Sequence, residues 1–236
     1  MKNNYSNEQD LIDDKRDRFI EKIESSSDWG PVLVPWLESE DFDNVIKFLL
    51  KETKAGDRFT PVLKDVFNAF IFCPYKDMKA IMIGQDPYPQ FGVADGISFS
   101  CSKKGKPEKS LQHIFNALYG TYEGKDCDLS RWSKQGVLML NTALTVRIDE
   151  IGSHYNIWKN FITHVFNHIN NQYKDLAVVC LGKKAQEWKD HLDQQKTFFV
   201  YHPASAAYSG GVWDCDDVFN KVNNHLLSQG KSTIIW

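Results

Sequence analysis

The stretch AIMIGQDPYP, residues 80–89, decides the fold, because four strand-forming apolar residues run directly into a glycine and a polar loop. Three later stretches have the same design: VLMLN at 137–141, LAVVCLGK at 176–183 and FFVYHP at 198–203. Each apolar run is continuous rather than alternating, which is typical of strands buried on both faces. We therefore predict four short buried strands, each ending in polar residues.

Helical patterns separate these strands along the chain. Apolar spacing predicts one helix beginning near Phe19 and others over residues 42–53, 110–119, 156–170, 184–192 and 216–227. Strands that alternate with helices form a parallel sheet with helices on both faces, so we predict an α/β protein with three α/β/α layers.

Ligands of such sheets bind at the carboxyl ends of the strands. Polar side chains stand at all four predicted ends: Gln85, Asp86, Asn141, Lys183 and His202. The pattern therefore predicts a polar site at one edge of the sheet. Taken singly, Asp86, Asn141 and His202 are each better explained as a turn, capping or core residue, and only the agreement of the four strand ends favours a site.

The composition is that of a soluble globular protein, with 42% hydrophobic and 25% charged residues among 236. Residues 1–17 are polar and predict a flexible arm or the solvated start of a helix, followed by a single domain over 18–236. The net charge of −3 shows no basic excess, so an enzyme acting on DNA would have to concentrate its positive charge locally. Five cysteines without a C-x-x-C pair predict free thiols and a cytoplasmic location, in a host if the source is viral.

The motifs resemble, in order, segments of the uracil-DNA glycosylases of the type without an iron–sulfur cluster. The resemblance covers roughly residue 27 to the C-terminus, and although each motif alone is weak, five in order at compatible spacing are specific. The segments are GQDPY at 84–88, GISFS at 96–100, LSRWSKQGVLMLN at 129–141 continued by LTVR at 144–147, GKKAQ at 182–186 and HP at 202–203.

The resemblance implies a four-stranded parallel sheet with the first two strands transposed, and a monomer that cuts the N1–C1′ bond of uracil in single- or double-stranded DNA. It implies no cofactor, no metal and no membrane association. It assigns catalysis to Asp86, which positions the attacking water, and to His202, which donates to uracil O2. The uracil-binding residues that it implies are Gln85, Tyr88, Phe99 and Asn141.

The implied DNA contacts depart from the family's usual pattern. Pro89 and Lys183 stand where cellular members usually carry His and Ser, whereas Ser110 matches a phosphate-contacting loop whose lysines supply local positive charge. After His202 the family usually reads Pro-Ser-Pro-Leu-Ser, and its Leu enters the duplex as the base leaves. This chain has Ala204 and Ala206 in that loop and Tyr208 as the residue able to replace the Leu, so we predict a relative preference for single-stranded DNA.

Three other functions are compatible with parts of the sequence. A non-catalytic DNA-binding scaffold of the same fold could act as a replication accessory, but it would not need Asp86, Asn141 and His202 together. A nucleotide- or flavin-binding domain would require a glycine-rich phosphate loop, which the sequence lacks. His164 and His168 have the i, i+4 spacing of a zinc pair, but the Glu of the metalloprotease motif is missing.

Overall fold

The computed structural model describes residues 7–236 and has strands and helices alternating over most of its length. The helices are α1 (Glu8–Ser26), α2 (Gly30–Leu37), α3 (Glu40–Ala55), α4 (Asn68–Phe72), α5 (Lys109–Tyr119), α6 (Ser130–Ser133), α7 (Tyr155–Gln172), α8 (Lys183–Gln186) and α9 (Val218–Ser228). Short 3-10 helices cover Leu63–Asp65, Lys189–Leu192 and Pro203–Tyr208. The strands are β1 (Phe59–Thr60), β2 (Ala80–Gly84), β3 (Val137–Asn141), β4 (Val146–Arg147), β5 (Ala177–Leu181) and β6 (Lys196–Val200).

The four main strands form one parallel sheet in the order β3-β2-β5-β6. In chain order the first two strands are transposed, so the strand order implied by the resemblance is confirmed. β1 and β4 form a separate two-stranded antiparallel ribbon. In the register of β2 with β3, Gly84 lies opposite Asn141 at the carboxyl edge.

Alternate side chains of the strands enter two different cores. In β2, Ile81 and Ile83 point into the core formed with α1, α2, α3 and α7, whereas Ala80 and Met82 point into the core formed with α5 and α9. Both faces of the sheet are therefore covered by helices, which confirms the predicted three-layer α/β/α architecture. β2, β3 and β5 are buried throughout.

β6 differs from the prediction of four fully buried strands. Only Val200 at its end is buried, and Phe199 is 47% exposed. Phe198 and Val200 pack into the core formed with α5 and α9, whereas Thr197 and Phe199 on the opposite face are not part of the core formed with α1, α2, α3 and α7. The apolar run of β6 therefore faces solvent on one side.

Of the two alternatives predicted for residues 1–17, the structure has the start of a helix and not a flexible arm over residues 7–17. Asn7 caps α1 by accepting a hydrogen bond from the amide of Asp10 at 2.9 Å, and Ile12 is fully buried. Arg16 donates to the carbonyl of Leu37 at 2.9 Å, which ties the helix to α2. Residues 1–6 lie outside the described part of the chain.

Three predicted helices have clearly different bounds in the structure. The helix expected to begin near Phe19 begins at Glu8. The helix expected over 184–192 is interrupted, with α8 ending at Gln186 and a 3-10 turn following at Lys189. The helix expected from residue 216 begins at Val218, because Asp216 and Asp217 have φ angles of 50° and 54°.

All five cysteines are free thiols, and four of them are buried. Over residues 7–236, no helix combines the length and apolar character needed to cross a membrane.

Candidate active site

A cavity of about 340 Å³ lies at the carboxyl edge of the parallel sheet, where β2 and β3 end and the chain leaves β6. The residues that line this cavity lie on separate loops, and the parallel sheet brings these loops together at one edge. The lining includes nine of the twelve residues predicted from the sequence: Gln85, Asp86, Tyr88, Pro89, Phe99, Ser110, Asn141, His202 and Ala204.

Asp86 is held through only one of its two carboxylate oxygens. Oδ2 accepts hydrogen bonds from the side-chain amide of Gln85 at 3.1 Å and from the backbone amide of Gly152 at 2.9 Å. Oδ1 is buried and has no partner among residues 7–236. Burial raises the pKa of Asp86, and the hydrogen bonds from Gln85 and Gly152 oppose that shift.

His202 follows β6 and caps the 3-10 helix Pro203–Tyr208. Its Nδ1 accepts a hydrogen bond from the backbone amide of Ala204 at 3.2 Å. Burial lowers the pKa of His202, which favours the neutral ring at physiological pH. Because Nδ1 accepts, the proton of the neutral ring is assigned to Nε2, which remains available as a donor.

Asn141 ends β3 beside Gly84, and only 8% of Asn141 is exposed. A Cβ atom added to Gly84 would collide with the amide oxygen of Asn141 and lie 3.3 Å from Phe99 and from Ser98. A glycine is therefore required at the end of β2 for the Asn141 amide to lie where it does. This close approach explains the first residue of the GQDPY motif in physical terms.

Phe99 lies on a loop that several hydrogen bonds hold in place. Its φ angle is 62°, in the left-handed region that non-glycine residues rarely adopt, and its ring centroid is 5.9 Å from that of His202. Tyr88 donates from its hydroxyl to the Phe99 carbonyl at 3.0 Å. Asp95 accepts from the Ser100 hydroxyl at 2.7 Å and from the Ser102 amide at 2.9 Å. These contacts hold an aromatic face at the cavity in a strained conformation.

Three of the predicted DNA-binding residues lie outside the cavity lining. Lys183 is exposed and begins α8, shortly after the carboxyl end of the internal strand β5. Ala206 is fully buried in the core beneath the loop, so its side chain cannot contact DNA and that prediction is corrected. Tyr208 ends the 3-10 helix after His202 and is 94% exposed, projecting a large ring into solvent.

The predicted basic loop over residues 102–109 carries less free charge than its lysines suggest. Lys103 forms an ion pair with Asp65, and Lys104 forms one with Glu108. Lys106 and Lys109 remain exposed, next to Ser110 at the start of α5.

The histidine pair considered for zinc has other partners. His164 donates from Nε2 to the carbonyl of Val32 at 2.7 Å, and the ring of His168 lies 6.0 Å from that of Tyr75. Within the described residues, no three His, Cys, Asp or Glu side chains are grouped so that they could hold a metal ion.

Sequence reasoning missed two residues that hold the site. Gly152 lies 66 positions from Asp86 and has no local signal, because its contribution is a backbone amide. Asp95 directly precedes the GISFS segment, and an acid immediately before a glycine is a usable signal for a side chain that hydrogen-bonds to its own loop.

The chain is similar to known proteins along most of its length. Residues 70–227 match the family model described as the uracil DNA glycosylase superfamily. The uracil-DNA glycosylase of Fusobacterium nucleatum is 33% identical over 217 residues, which is 89% of this chain and 95% of that protein. The uracil-DNA glycosylase of Acinetobacter baumannii is 31% identical over 233 residues, covering 96% and 98% of the two chains.

Solved structures show the same fold at lower identity. The crystal structure of mimivirus uracil-DNA glycosylase matches with a TM-score of 0.78 at 24% identity, over 88% of this chain and 85% of that one. The UNG structure from Nitratifractor salsuginis matches with a TM-score of 0.55 at 17% identity, over 91% and 95%. The family match over residues 70–227 and the two bacterial relatives together establish that this chain belongs to the uracil-DNA glycosylase family.

Proposed function

We propose that this protein flips uracil out of DNA and hydrolyses its N1–C1′ bond, leaving an abasic site without cutting the strand. The observation that carries the proposal is the meeting of Asp86, Asn141 and His202 at one cavity on three different strand ends. Family membership already makes the chain a DNA-repair glycosylase and a hydrolase. The residue roles below, which need no cofactor, are the proposal.

Breaking the N1–C1′ bond creates positive charge on the sugar and negative charge on uracil. We assign the sugar side to Asp86, whose carboxylate is attractive to the developing cation. Its partner-free Oδ1 is available to accept a hydrogen bond from the attacking water, while Oδ2 stays fixed by Gln85 and Gly152. The water is thereby oriented before the reaction begins, which lowers the reorganisation that the transition state requires.

The negative charge on uracil is assigned to His202. The neutral ring donates from Nε2 to uracil O2, and the hydrogen bond strengthens as charge collects on that oxygen. Ala204 holds the ring in this tautomer through Nδ1. A neutral donor suffices, so activity does not depend on protonating His202.

The base is read by its hydrogen-bonding edge and by its shape. The amide of Asn141 can accept from N3–H of uracil and donate to O4, whereas cytosine presents the opposite pattern. Tyr88 fills the space beside C5, where the methyl group of thymine would collide. Phe99 stacks on the flipped base, and Gln85 contacts it through its backbone.

We assign DNA binding to the rim of the cavity. Ser110, Pro89 and Ala204 contact the backbone beside the flipped nucleotide, and Lys183 supplies a positive charge at the edge of the sheet. Tyr208 is assigned the role of entering the duplex as the base leaves, supported by its exposure and by its position after His202. Among residues 7–236, no neighbouring side chain packs against Tyr208, so its ring is not held in position to enter a duplex. We therefore expect higher activity on single-stranded DNA than on double-stranded DNA.

The test uses a labelled oligonucleotide with one uracil, single-stranded or paired with adenine, and alkali to cut abasic sites. The expected result is uracil-dependent cleavage in chelator that collapses in Asp86→Asn, with binding to DNA retained. A folded protein without cleavage on either substrate would overturn the catalytic proposal and favour the non-catalytic scaffold. A higher rate on paired than on single-stranded uracil would contradict the strand preference alone.

A further inference from the structure

Two buried polar atoms at the candidate active site have no hydrogen-bond partner among residues 7–236, namely Oδ1 of Asp86 and the hydroxyl of Tyr155. A buried polar group without a partner is costly, so two such groups on neighbouring segments gain stability if an ordered water joins them. The mechanism proposed above uses Asp86 but gives Tyr155 no role.

Tyr155 packs on the segment that holds Asp86. The backbone amide of Gly152 donates to Oδ2 of Asp86 at 2.9 Å. The ring of Tyr155 lies against the same glycine, with two ring carbons 3.6 and 3.7 Å from the position that a Cβ of Gly152 would occupy. The amide of Tyr155 also donates to the carbonyl of Gly152, at 3.3 Å. One glycine therefore contacts both side chains.

Tyr155 approaches Asp86 from the side away from the uracil cavity. It lines a second cavity of about 390 Å³ together with Thr142, whereas Asp86 lines the first cavity and Tyr155 does not. Thr142 donates from its hydroxyl to the carbonyl of Gln85 at 3.1 Å, so the wall between the cavities is the loop that carries Asp86. Thr142 comes close to the Tyr155 hydroxyl without forming a hydrogen bond of normal geometry.

The electrostatics agree with this placement. Burial raises the pKa of Tyr155, and the negative charge of Asp86 raises it further. The phenol therefore stays protonated and can donate a hydrogen bond to an acceptor. Asp86 offers such an acceptor in Oδ1, and each carboxylate oxygen can accept two hydrogen bonds. One direction on Oδ1 is then open for Tyr155 and the other for the attacking water.

We propose that Tyr155 is a positioning residue, whose hydroxyl donates to Oδ1 of Asp86 through one ordered water and so fixes the orientation of the carboxylate. This inference rests on the catalytic role proposed for Asp86. Tyr155 itself touches neither the base nor the sugar, because it lies behind the loop.

The test is Tyr155→Phe, which removes one oxygen and keeps the ring that packs on Gly152. We expect the single-turnover rate on single-stranded uracil DNA to fall about tenfold, the effect of one hydrogen bond to a charged group, while the Kd for that DNA stays unchanged. The acid limb of the rate profile should also move upward by about one pH unit, because losing a donor to the charged carboxylate raises the pKa of Asp86.

The other titratable groups near Asp86 are unchanged in this variant. They are His202 across the uracil cavity, and Lys159, Lys184, Glu187 and His191 at the second cavity beyond Tyr155. A displaced acid limb therefore reports the missing hydroxyl.

The matched control is Tyr75→Phe, which also removes a buried hydroxyl without a partner in the described part of the chain. Tyr75 lies before β2, at the opposite end of the strand from Asp86, so its variant should keep the wild-type rate and pH profile. An active wild-type protein with an unchanged Tyr155→Phe rate and acid limb overturns the inference. Inactivity of the wild-type protein instead overturns the proposed function, so the two failures are distinguishable.

Discussion

Replacing Gly84 with alanine should disable uracil recognition through a single methyl group. Gly84 has no left-handed φ angle, so the backbone itself accepts alanine. The added methyl would collide with the amide oxygen of Asn141, which would have to move by about 1 Å to regain ordinary contact. A misplacement of this size costs on the order of a hundredfold in rate, so we expect the single-turnover rate on uracil DNA to fall about that much.

The same substitution should also destabilise the protein by about 1–3 kcal/mol, because Phe99 and Ser98 leave the methyl group little room. The assay is uracil release from a single-stranded oligonucleotide, with thermal unfolding measured on the same protein. Gly30→Ala is the matched control, since a methyl group there meets only the flexible side chain of Glu24 at 3.9 Å. A folded Gly84→Ala protein with the wild-type rate would refute the argument that Gly84 places the Asn141 amide for base reading.

Three further outcomes are expected. Tyr208→Ala should lower activity on double-stranded DNA more than on single-stranded DNA, and equal loss on both would exclude Tyr208 as the residue that enters the duplex. Asp86→Asn should raise the melting temperature at pH 7, because burial raises the pKa of Asp86 and its charged form therefore destabilises the fold. That gain should vanish as the pH falls to about 4, where the unfolded carboxyl also takes up its proton, and a gain independent of pH would contradict the reasoning. Gly182→Ala, at a φ angle of 92° and with its methyl 2.9 Å from the Cβ of His202, should reduce both the melting temperature and the uracil-release rate, and unchanged values would show that the His202 loop tolerates displacement.

The parts of the fold that the sequence predicted well are those controlled by local patterns. Continuous apolar runs marked β2, β3 and β5, because a strand covered on both faces has no polar face to reveal. The same pattern misled at β6, because one face of this strand is not covered by the core formed with α1, α2, α3 and α7, and the apolar run alone does not show which faces are covered. The prediction of a flexible N-terminal arm did not hold over residues 7–17 for a related reason. A polar sequence can form a packed helix when a few residues such as Ile12 reach the core.

The loop after His202 shows that the sequence did not predict which individual side chains are buried. The sequence placed Ala206 and Tyr208 in one candidate DNA-contacting loop, and nothing in the residue types distinguished buried from exposed. The 3-10 turn over Pro203–Tyr208 buries Ala206 completely and leaves Tyr208 94% exposed. With three residues per turn, Ala206 and Tyr208 point in directions about 120° apart, and no local pattern of this length specifies which of them faces the core.

By itself, the sequence determined the parallel α/β architecture and the polar residues at the strand ends. Both depend on short runs of consecutive residues, namely an apolar run for a buried strand and the polar residues that follow it. Only the tertiary structure decided how those residues are held. Three contacts join segments that are distant in the chain: the Gly152 amide on Asp86, the space at Gly84 that admits the Asn141 amide, and the ring of Tyr155 against the segment that holds Asp86. Such contacts arise from backbone atoms and from the packing of separate elements, and neither has a signature in the order of the side chains.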